Sequence, residues 1–499
     1  MEGGHIHWAD VVARAVEGQQ VIATGITPSG NIHVGNMREV VTGDAIFRAT
    51  RDAEKPARLI YIADTYDPLR TVYPFLPAAY KKYVGMPLSE IPDPFGCCSS
   101  YAEHYLRPFS ESLGELDIAL EVYRADRMYK EGLYTEATKI ALEQHNLIAD
   151  IIERISKRKL PAGWSPYNPL CERCGRFSAA QIVEHVPART AVRYRCDCGA
   201  EGVADYSKGQ GKLAWRVDWP ARWKILGVTI EPFGKDHAVA GGSYDTGRRI
   251  SRDVYGYAPP LPVPYGHIHL KGRGKMSSSR GVTITIQEML ESAPADALRY
   301  MIIKTKPGKL IDFDPGLGLL ALVDEFDRSE GRAVELSRIP ERGCDVPFRH
   351  MVTAVQIAHS CDELLEVLRR SGYETTDSTA LRKRARNVRN WLDLFAPPFV
   401  KFEVQRTLPV QVKTLTPGQR KVLEKLAKAL ETDNSDPEWL HNEVYNISEE
   451  VGIHSKEAFK AIYISLLAKT SGPRAGWFLA TLDREFLIAR FKKAAGDVS

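Results

Sequence analysis

Two short runs far apart in the chain carry the side chains that phosphate chemistry needs, TPSGNIHVGN (residues 27–36) and GKMSSSR (residues 274–280). In the first, Pro28 and Gly30 turn the chain after a strand candidate, and His33 and Asn36, three apart, share one face of a helix start. Free N–H groups at a helix N-terminus favour phosphate oxygens, and Gly35 removes a side chain that would hold an adenine away. In the second, Lys275 sits in a loop able to bend around phosphates, where its ammonium can balance charge developing on a transferred phosphoryl group. Beside it, Met276 is followed by Ser277 and Ser278, whose hydroxyls add donors of little bulk. Each run alone also reads as an ordinary helix start or a solvated basic loop. The two together, each following a strand candidate, point to a nucleotide site.

Six of the eight cysteines fall in two tight clusters, which suits metal ligation better than a long-range disulfide framework, and a reducing compartment fits. Cys171-x2-Cys174 and Cys196-x-Cys198 offer four thiolates, the donor set of a tetrahedral structural zinc. The second cluster lies in IPDPFGCCSSYAEHY, where Asp93, Cys97, Cys98 and His104 could be gathered by a bend at Pro94 and Gly96. Its alternative is a buried cysteine pair beside a helix-surface histidine.

The elements that must hold these residues follow from apolar spacing. Val21 to Thr24 reads as a strand, 34–49 as a helix, and Arg58 to Ala63 as a second strand with Asp64 and Asp67 just past its end. This β-turn-α-β order predicts a parallel α/β sheet, in which ligands collect beyond the carboxyl ends of the strands. Helical stretches are expected near 101–120 and 135–160. Residues 161–212 are rich in glycine, proline and charge and predict a small metal-stapled insertion. Mixed α/β signals resume over 213–320, with Val263 to Leu270 as a further strand candidate. Beyond residue 320 the spacing turns helical, apart from a β-like patch, FVKFEVQRTLPVQV. The expected organisation is a Rossmann-like catalytic domain over 1–320, including the insertion, and a mainly α-helical region over 321–499. In the latter, Arg474, Trp477 and Phe478 combine a cation with stacking surfaces suited to unstacked bases, and they read equally as helix packing.

Length and composition set the frame. At about 150 residues per domain, 499 residues make roughly three domains, and 44% hydrophobic content excludes a disordered scaffold. The net charge of +4 tolerates a polyanionic partner without requiring one. No apolar run reaches the roughly 18 residues of a membrane span, and the first residues lack a basic segment followed by an apolar one. A soluble, cytoplasmic protein with no membrane partner is expected.

HVGN and KMSSS resemble the two signatures of class I aminoacyl-tRNA synthetases. The stretches ATGITPSGNIHVGN, YIADTYDPLR, IPDPFGC, WRVDWPARW, EPFGKDHAVAGGSYDTG and GPRAGWFLATLDREF are similar, more narrowly, to the archaeal-type class I lysyl-tRNA synthetases. The resemblance implies ATP, carried with Mg2+, as a substrate, L-lysine as the amino acid, tRNA(Lys) as acceptor, and a monomer. It implies that His33 and Asn36 contact the ATP phosphates, that Lys275 holds the leaving pyrophosphate, and that Gly241, Gly242 and Ser243 let ATP approach closely. It implies a lysine pocket from Gly25, Thr27, Trp215, His237 and Tyr265, with Asp64 and Asp67 as anion candidates for the ammonium. The helical region would be a cage that reads the anticodon. This chain departs from the family pattern at Asn36 and Cys98, where histidine is expected, and at Ser278, where lysine is common. A class I synthetase for glutamate, a non-enzymatic zinc-containing RNA-binding module and a small-metabolite nucleotidyltransferase are the competing readings.

Overall fold

The computed structural model describes residues 6–177, 180–272, 274–276, 283–340, 343–374, 376, 378–432 and 436–496. The chain divides into two compact units. The first comprises Met1–Leu290, Ala295–Phe313 and Ser329–Pro340; the second comprises Glu291–Pro294, Asp314–Arg328 and Glu341–Ser499.

The first unit is built on five strands: β1 (Gln20–Ile26), β2 (Ala57–Ala63), β3 (Glu121–Arg124), β4 (Ile230–Gly234) and β5 (Leu261–Tyr265). They pair in the order β5-β4-β1-β2-β3, and every pairing is parallel. The strands of the middle are sealed by apolar side chains, as a sheet covered by helices requires; Ile22, Ala23, Ile60 and Ile62 are all almost fully buried. The sequence order reverses between β1 and β4. That reversal opens a crevice at the carboxyl ends of the strands, where doubly wound sheets hold ligands.

Helix α1 (Val34–Asp52) follows β1 and buries Met37, Val40, Val41, Ala45 and Ile46 on its sheet-facing side. Three further helices frame the crevice: α2 (His145–Ser156), α3 (Trp215–Leu226) and α4 (Ser243–Asp253). The expected strand Val263 to Leu270 is two strands, β5 and Ile268–Leu270, in different sheets. Between them Gly266 donates its N–H to the Pro307 carbonyl at 2.7 Å, which draws the chain away from β4 and towards Ile311–Phe313.

The insertion is a three-stranded antiparallel sheet (Ala180–Val186, Ala191–Cys196, Glu201–Asp205), closed at its base by Tyr167–Pro169 pairing with Gly211–Leu213. Little apolar material was expected here. In the structure Tyr167, Phe177, Val192, Tyr194 and Tyr206 join one core with Tyr66, Tyr129, Tyr134 and residues of α2. The insertion therefore borrows its core from the sheet domain.

The second unit is helical. Its longer helices include Leu317–Arg328, Thr379–Leu394, Pro417–Ala429, Pro437–Val451 and Ser455–Leu467. Several starts carry side-chain caps: Ser378 Oγ accepts from the Leu381 N–H at 3.2 Å, and Thr416 with Gln419 forms a capping box. The β-like patch 399–412 forms no strand. It runs as irregular chain into a 3-10 turn at Val410–Thr414, and its backbone bonds to helix partners, as in Phe402 N–H to Gln356 Oε1 at 2.8 Å and Gln405 N–H to the Leu466 carbonyl at 2.8 Å.

Candidate active site

The two phosphate-type runs meet in space. The Val34 N–H donates to the Ile284 carbonyl at 3.0 Å and His33 forms a β-bridge with Thr285, which pins the start of α1 to the chain emerging from the second run. The buried Met276 reaches the same place: a Cβ added to Gly35 would lie 3.6 Å from Met276 Cε. That Cβ would also fall 2.7 Å from the His33 ring, so a side chain at 35 would have to displace the imidazole that folds over it. Asn36 Oδ1 accepts the His33 backbone N–H at 3.1 Å and fixes the turn of the helix start. Lys275 sits in a two-residue strand against His269, while its side chain and all of Ser277 and Ser278 lie outside the described residues.

The remaining site residues line the carboxyl end of the sheet. Gly25 is the penultimate residue of β1, with Thr27 just beyond the strand; Asp64 follows β2, His237 lies shortly after β4, and Tyr265 ends β5. Trp215, at the start of α3, places its ring 5.4 Å from that of His237. Gly242 and Ser243 are buried where α4 begins, and Gly241 precedes them with a φ of +73°.

Asp64 and Asp67 each have a protein cation. Arg222 lies 2.7 Å from Asp64 Oδ1, and Lys212 lies 3.3 Å from Asp67 Oδ1, with Thr27 Oγ1 donating to Asp67 Oδ2 at 3.0 Å. Both cations also engage Asp218, at 2.6 Å from Arg222 and 2.5 Å from Lys212. Burial alone would raise the Asp218 pKa, but the two cations overcome it and hold this carboxyl below the usual carboxylate range.

Glu39 and Glu231 have no spacing that marks them in sequence. Glu39, on α1, accepts from the Gly25 N–H at 2.5 Å and from the Tyr265 hydroxyl at 2.6 Å. Glu231, on β4, accepts from the indole N–H groups of Trp219, at 2.9 Å, and Trp223. Burial pushes Glu39 up to about 8 and Glu231 up to about 7, and the neighbouring carboxyls add to both shifts. The charge census is lopsided. Five carboxyls (Glu39, Asp64, Asp67, Asp218, Glu231) face two cations (Lys212, Arg222), and Glu39 alone of the five keeps appreciable accessible surface. Carboxyls thus outnumber cations, and the accessible one, Glu39, has no cation of its own among the described residues. No motif search would find the cluster, because the partners come from helices and strands up to 226 residues apart.

Both cysteine clusters are assembled. The four sulfurs of Cys171, Cys174, Cys196 and Cys198 lie within 4.8 Å of one another, with Cys171–Cys198 at 3.7 Å and Cys174–Cys196 at 3.6 Å. Tetrahedral zinc with Zn–S of about 2.3 Å needs sulfurs about 3.8 Å apart, so this donor set fits. Asp93, Cys97, Cys98 and His104 also gather within 4.8 Å. There Asp93 Oδ2 accepts the N–H groups of Cys97 and Cys98, each at 2.7 Å, and Oδ1 lies 3.1 Å from His104 Nδ1. The carboxylate thus folds the loop that presents the thiols, and the donors again suit zinc.

In the second unit, Arg474 and Trp477 line a cavity of about 1090 Å³ together with Phe399, Tyr373 and Arg349. The Arg474 guanidinium lies 3.8 Å from the Trp477 ring centroid. Phe478 corrects the expectation of a second stacking surface: it is 0% exposed, packed edge-on against Phe402, because it faces the core one residue round the helix from Trp477.

A family profile described as tRNA synthetases class I (K) matches residues 6–345, and one described as an anticodon binding domain matches residues 347–495. A lysine–tRNA ligase of Methanosarcina barkeri is 48% identical over 526 residues, covering 98% of this chain and 98% of its own. One from Archaeoglobus fulgidus is 48% identical over 499 residues, covering 98% and 100%, and one from Methanocaldococcus jannaschii is 41% identical over 529 residues, covering 97% and 99%. Among the described residues no helix is long and apolar enough to cross a membrane.

Proposed function

The chain belongs to the class I (K) family of tRNA synthetases, and from that premise we propose that it is a lysine–tRNA ligase. It joins L-lysine to ATP, giving lysyl-adenylate and pyrophosphate, and then transfers the lysyl group to tRNA(Lys), releasing AMP. The observation that carries the choice of amino acid is the charge census at Glu39: an accessible carboxyl in an acid-rich, deeply set cluster is completed by a substrate cation. A glutamate side chain would meet the Glu39 carboxyl with no accessible cation beside it among the described residues, and would not be held there.

In the proposed mechanism the lysine carboxylate oxygen attacks the α-phosphorus, and the bond to pyrophosphate breaks. Gly25 and Thr27 border the carboxylate, with Thr27 held by its bond to Asp67. Glu39 and the Tyr265 hydroxyl receive the side-chain ammonium, and the rings of Trp215 and His237 wall the aliphatic stem. Asp64 and Asp67 act behind this layer, by fixing Arg222, Lys212 and Thr27. His33 and Asn36 address the ATP phosphates from the start of α1, Gly241, Gly242 and Ser243 allow the nucleotide to approach, and Lys275, Met276, Ser277 and Ser278 close on the leaving pyrophosphate. This is catalysis by positioning and charge stabilisation, with no covalent intermediate on the enzyme. Mg2+ accompanies ATP and neutralises its phosphates.

Cys171, Cys174, Cys196 and Cys198 hold a structural Zn2+, and Asp93, Cys97, Cys98 and His104 form a second zinc site. Arg474 and Trp477 serve the anticodon. A monomer in the cytoplasm is the arrangement the family supports. The test is pyrophosphate exchange with each amino acid supplied separately, first without and then with tRNA(Lys). Lysine alone should support exchange; exchange driven by glutamate, or by no amino acid in either condition, would refute the assignment.

A further inference from the structure

Outside the crevice, the first unit gathers guanidinium groups in one place. Helices α2 and α4 pack together and enclose a concavity of about 500 Å³ lined by Arg154, Ile155, Asp245, Arg248, Arg249 and Arg252. Four cations and one carboxylate therefore share a small volume. Among the described residues, three of the arginines are balanced only by carboxylates of their own helix: Arg154 with Asp150 at 3.0 Å, Arg248 with Asp245 at 3.2 Å, and Arg249 with Asp253 at 2.5 Å. Their side chains stay 52–65% exposed in these pairs, so the guanidinium edges face solvent. Arg252 forms no ion pair with the described residues, and no partner on α2 answers this charge. Like charges four apart, as at Arg248 and Arg252, weaken a helix, and no ion pair among the described residues offsets this at Arg252.

The basic surface extends past the concavity. Arg216, at the start of α3, donates to Thr246 Oγ1 of α4 at 3.0 Å, and burial, then the nearby Arg158, lower its pKa. Lys157 and Arg158 continue the chain directly after α2. One end of the surface touches the nucleotide side of the crevice. Asp245 accepts the Gly241 N–H at 3.0 Å, and a Cβ on Gly241 would lie 2.7 Å from the Ile155 carbonyl. The wall of the concavity is thus also the wall behind the loop that leads from His237 to α4.

We infer that the α2–α4 groove seats the sugar-phosphate backbone of the tRNA acceptor arm. The inference rests on the ligase reading above, since it is transfer to tRNA that requires an RNA end beside the nucleotide loop. Arginine suits the role because its planar fork binds phosphate oxygens in pairs, and the exposed edges left by the intrahelical pairs are available for it. The small net charge of the whole chain makes a local cluster the informative feature: +4 over 499 residues gives no general affinity for nucleic acid.

The test compares the R248Q/R249Q/R252Q protein with the parent. Glutamine keeps helix propensity while removing the charge, although the pairs of Arg248 and Arg249 with Asp245 and Asp253 are lost with it. tRNA affinity is measured by fluorescence anisotropy over a range of KCl concentrations, and lysine-dependent pyrophosphate exchange is measured at saturating tRNA. The tRNA Kd should rise by about tenfold or more at low salt, and the slope of log K against log[salt] should fall by about 2 to 3, since each phosphate contact contributes roughly 0.9. The KM values for ATP and lysine should not move. The triple lysine variant, which keeps the charges, should retain most of the slope. R252Q alone breaks no ion pair, and should lower the slope by about 0.9 if a single contact is lost. An unchanged slope, a loss confined to the ATP KM, or a lysine variant as impaired as the glutamine one would overturn the inference. Absence of lysine-dependent exchange in the parent would instead refute the ligase reading.

Discussion

Glu39→Gln isolates the charge proposed to select lysine. Glutamine is nearly isosteric, can still accept the Gly25 N–H through its carbonyl oxygen, and can turn its NH2 towards the Tyr265 hydroxyl, so the crevice should keep its shape. Losing one partner of a desolvated, hydrogen-bonded charge pair costs about 2–5 kcal/mol. With its carboxyl pushed up to about 8, the parent protein is only about one-eleventh ionised at pH 7, and drawing the proton off consumes about 1.4 kcal/mol of that attraction. The net deficit at pH 7 is therefore about 0.6–3.6 kcal/mol, a lysine KM raised roughly 3- to 500-fold. The pH dependence gives a sharper criterion. Lysine keeps its side-chain proton throughout neutral pH, while the ionised fraction of Glu39 climbs from about 3% at pH 6.5 to about half at pH 8. Lysine affinity in the parent should therefore strengthen about 16-fold over that interval, with about one proton released on binding at pH 6.5 and about half a proton at pH 8, and this rise should vanish in the glutamine variant. The assay is the lysine KM in pyrophosphate exchange at saturating tRNA across that range. A variant with the parent KM, or one that keeps the parent pH profile, would show that the ammonium is received elsewhere.

Cys171→Ser should release one zinc per chain by elemental analysis and increase protease cleavage within 161–212, because metal binding supplies folding energy to such modules; an unchanged zinc count would remove this thiol from the ligand set. In the helical unit the neighbours Trp477 and Phe478 should behave differently. Trp477→Ala should weaken tRNA binding by about 1–3 kcal/mol for one lost stacking platform, at unchanged thermal stability. Phe478→Ala should cost about 3–5 kcal/mol of stability through the cavity it leaves, read as a lowered melting temperature. Equal effects of the two substitutions on both measurements would contradict the assigned faces.

What could be read from sequence was what is local. The turn TPSG after an apolar strand and the apolar spacing from Val34 onwards depend on neighbours in the chain, and β1 and α1 form there. The cysteine pairs were legible for the same reason, since a thiol pair at short spacing is a recognisable donor set wherever it folds. Contacts that depend on distant partners were hidden. Nothing in the surroundings of Glu39 reveals that Tyr265 will donate to it, and nothing in Val263 to Leu270 reveals that Pro307 will pull Gly266 out of the sheet. Trp477 and Phe478 differ by about 100° of helix rotation, and distant partners such as Phe402 decide which ring is sealed.

The insertion and the crevice are joined through one buried ammonium, that of Lys212. Lys212 lies in the strand Gly211–Leu213, whose partner strand, Tyr167–Pro169, runs two residues ahead of Cys171. From that strand its ammonium enters the carboxyl cluster and engages both Asp218 and Asp67, and Asp67 in turn holds the Thr27 hydroxyl. A buried ammonium is tolerated only where carboxylates surround it, and the surplus of carboxylates is tolerated only while the ammonium stays. The closure of the metal knuckle at its base therefore fixes a cation on which the first active-site loop depends. This accounts for the position of Lys212, which would be a costly residue to bury in an insertion whose only task was to staple itself. It also explains how the cluster can carry surplus carboxyls and still fold: Lys212 and Arg222 engage Asp64, Asp67 and Asp218, two indole N–H groups hold Glu231, and Glu39, which has no cation of its own among the described residues, is kept protonated by its burial until one arrives.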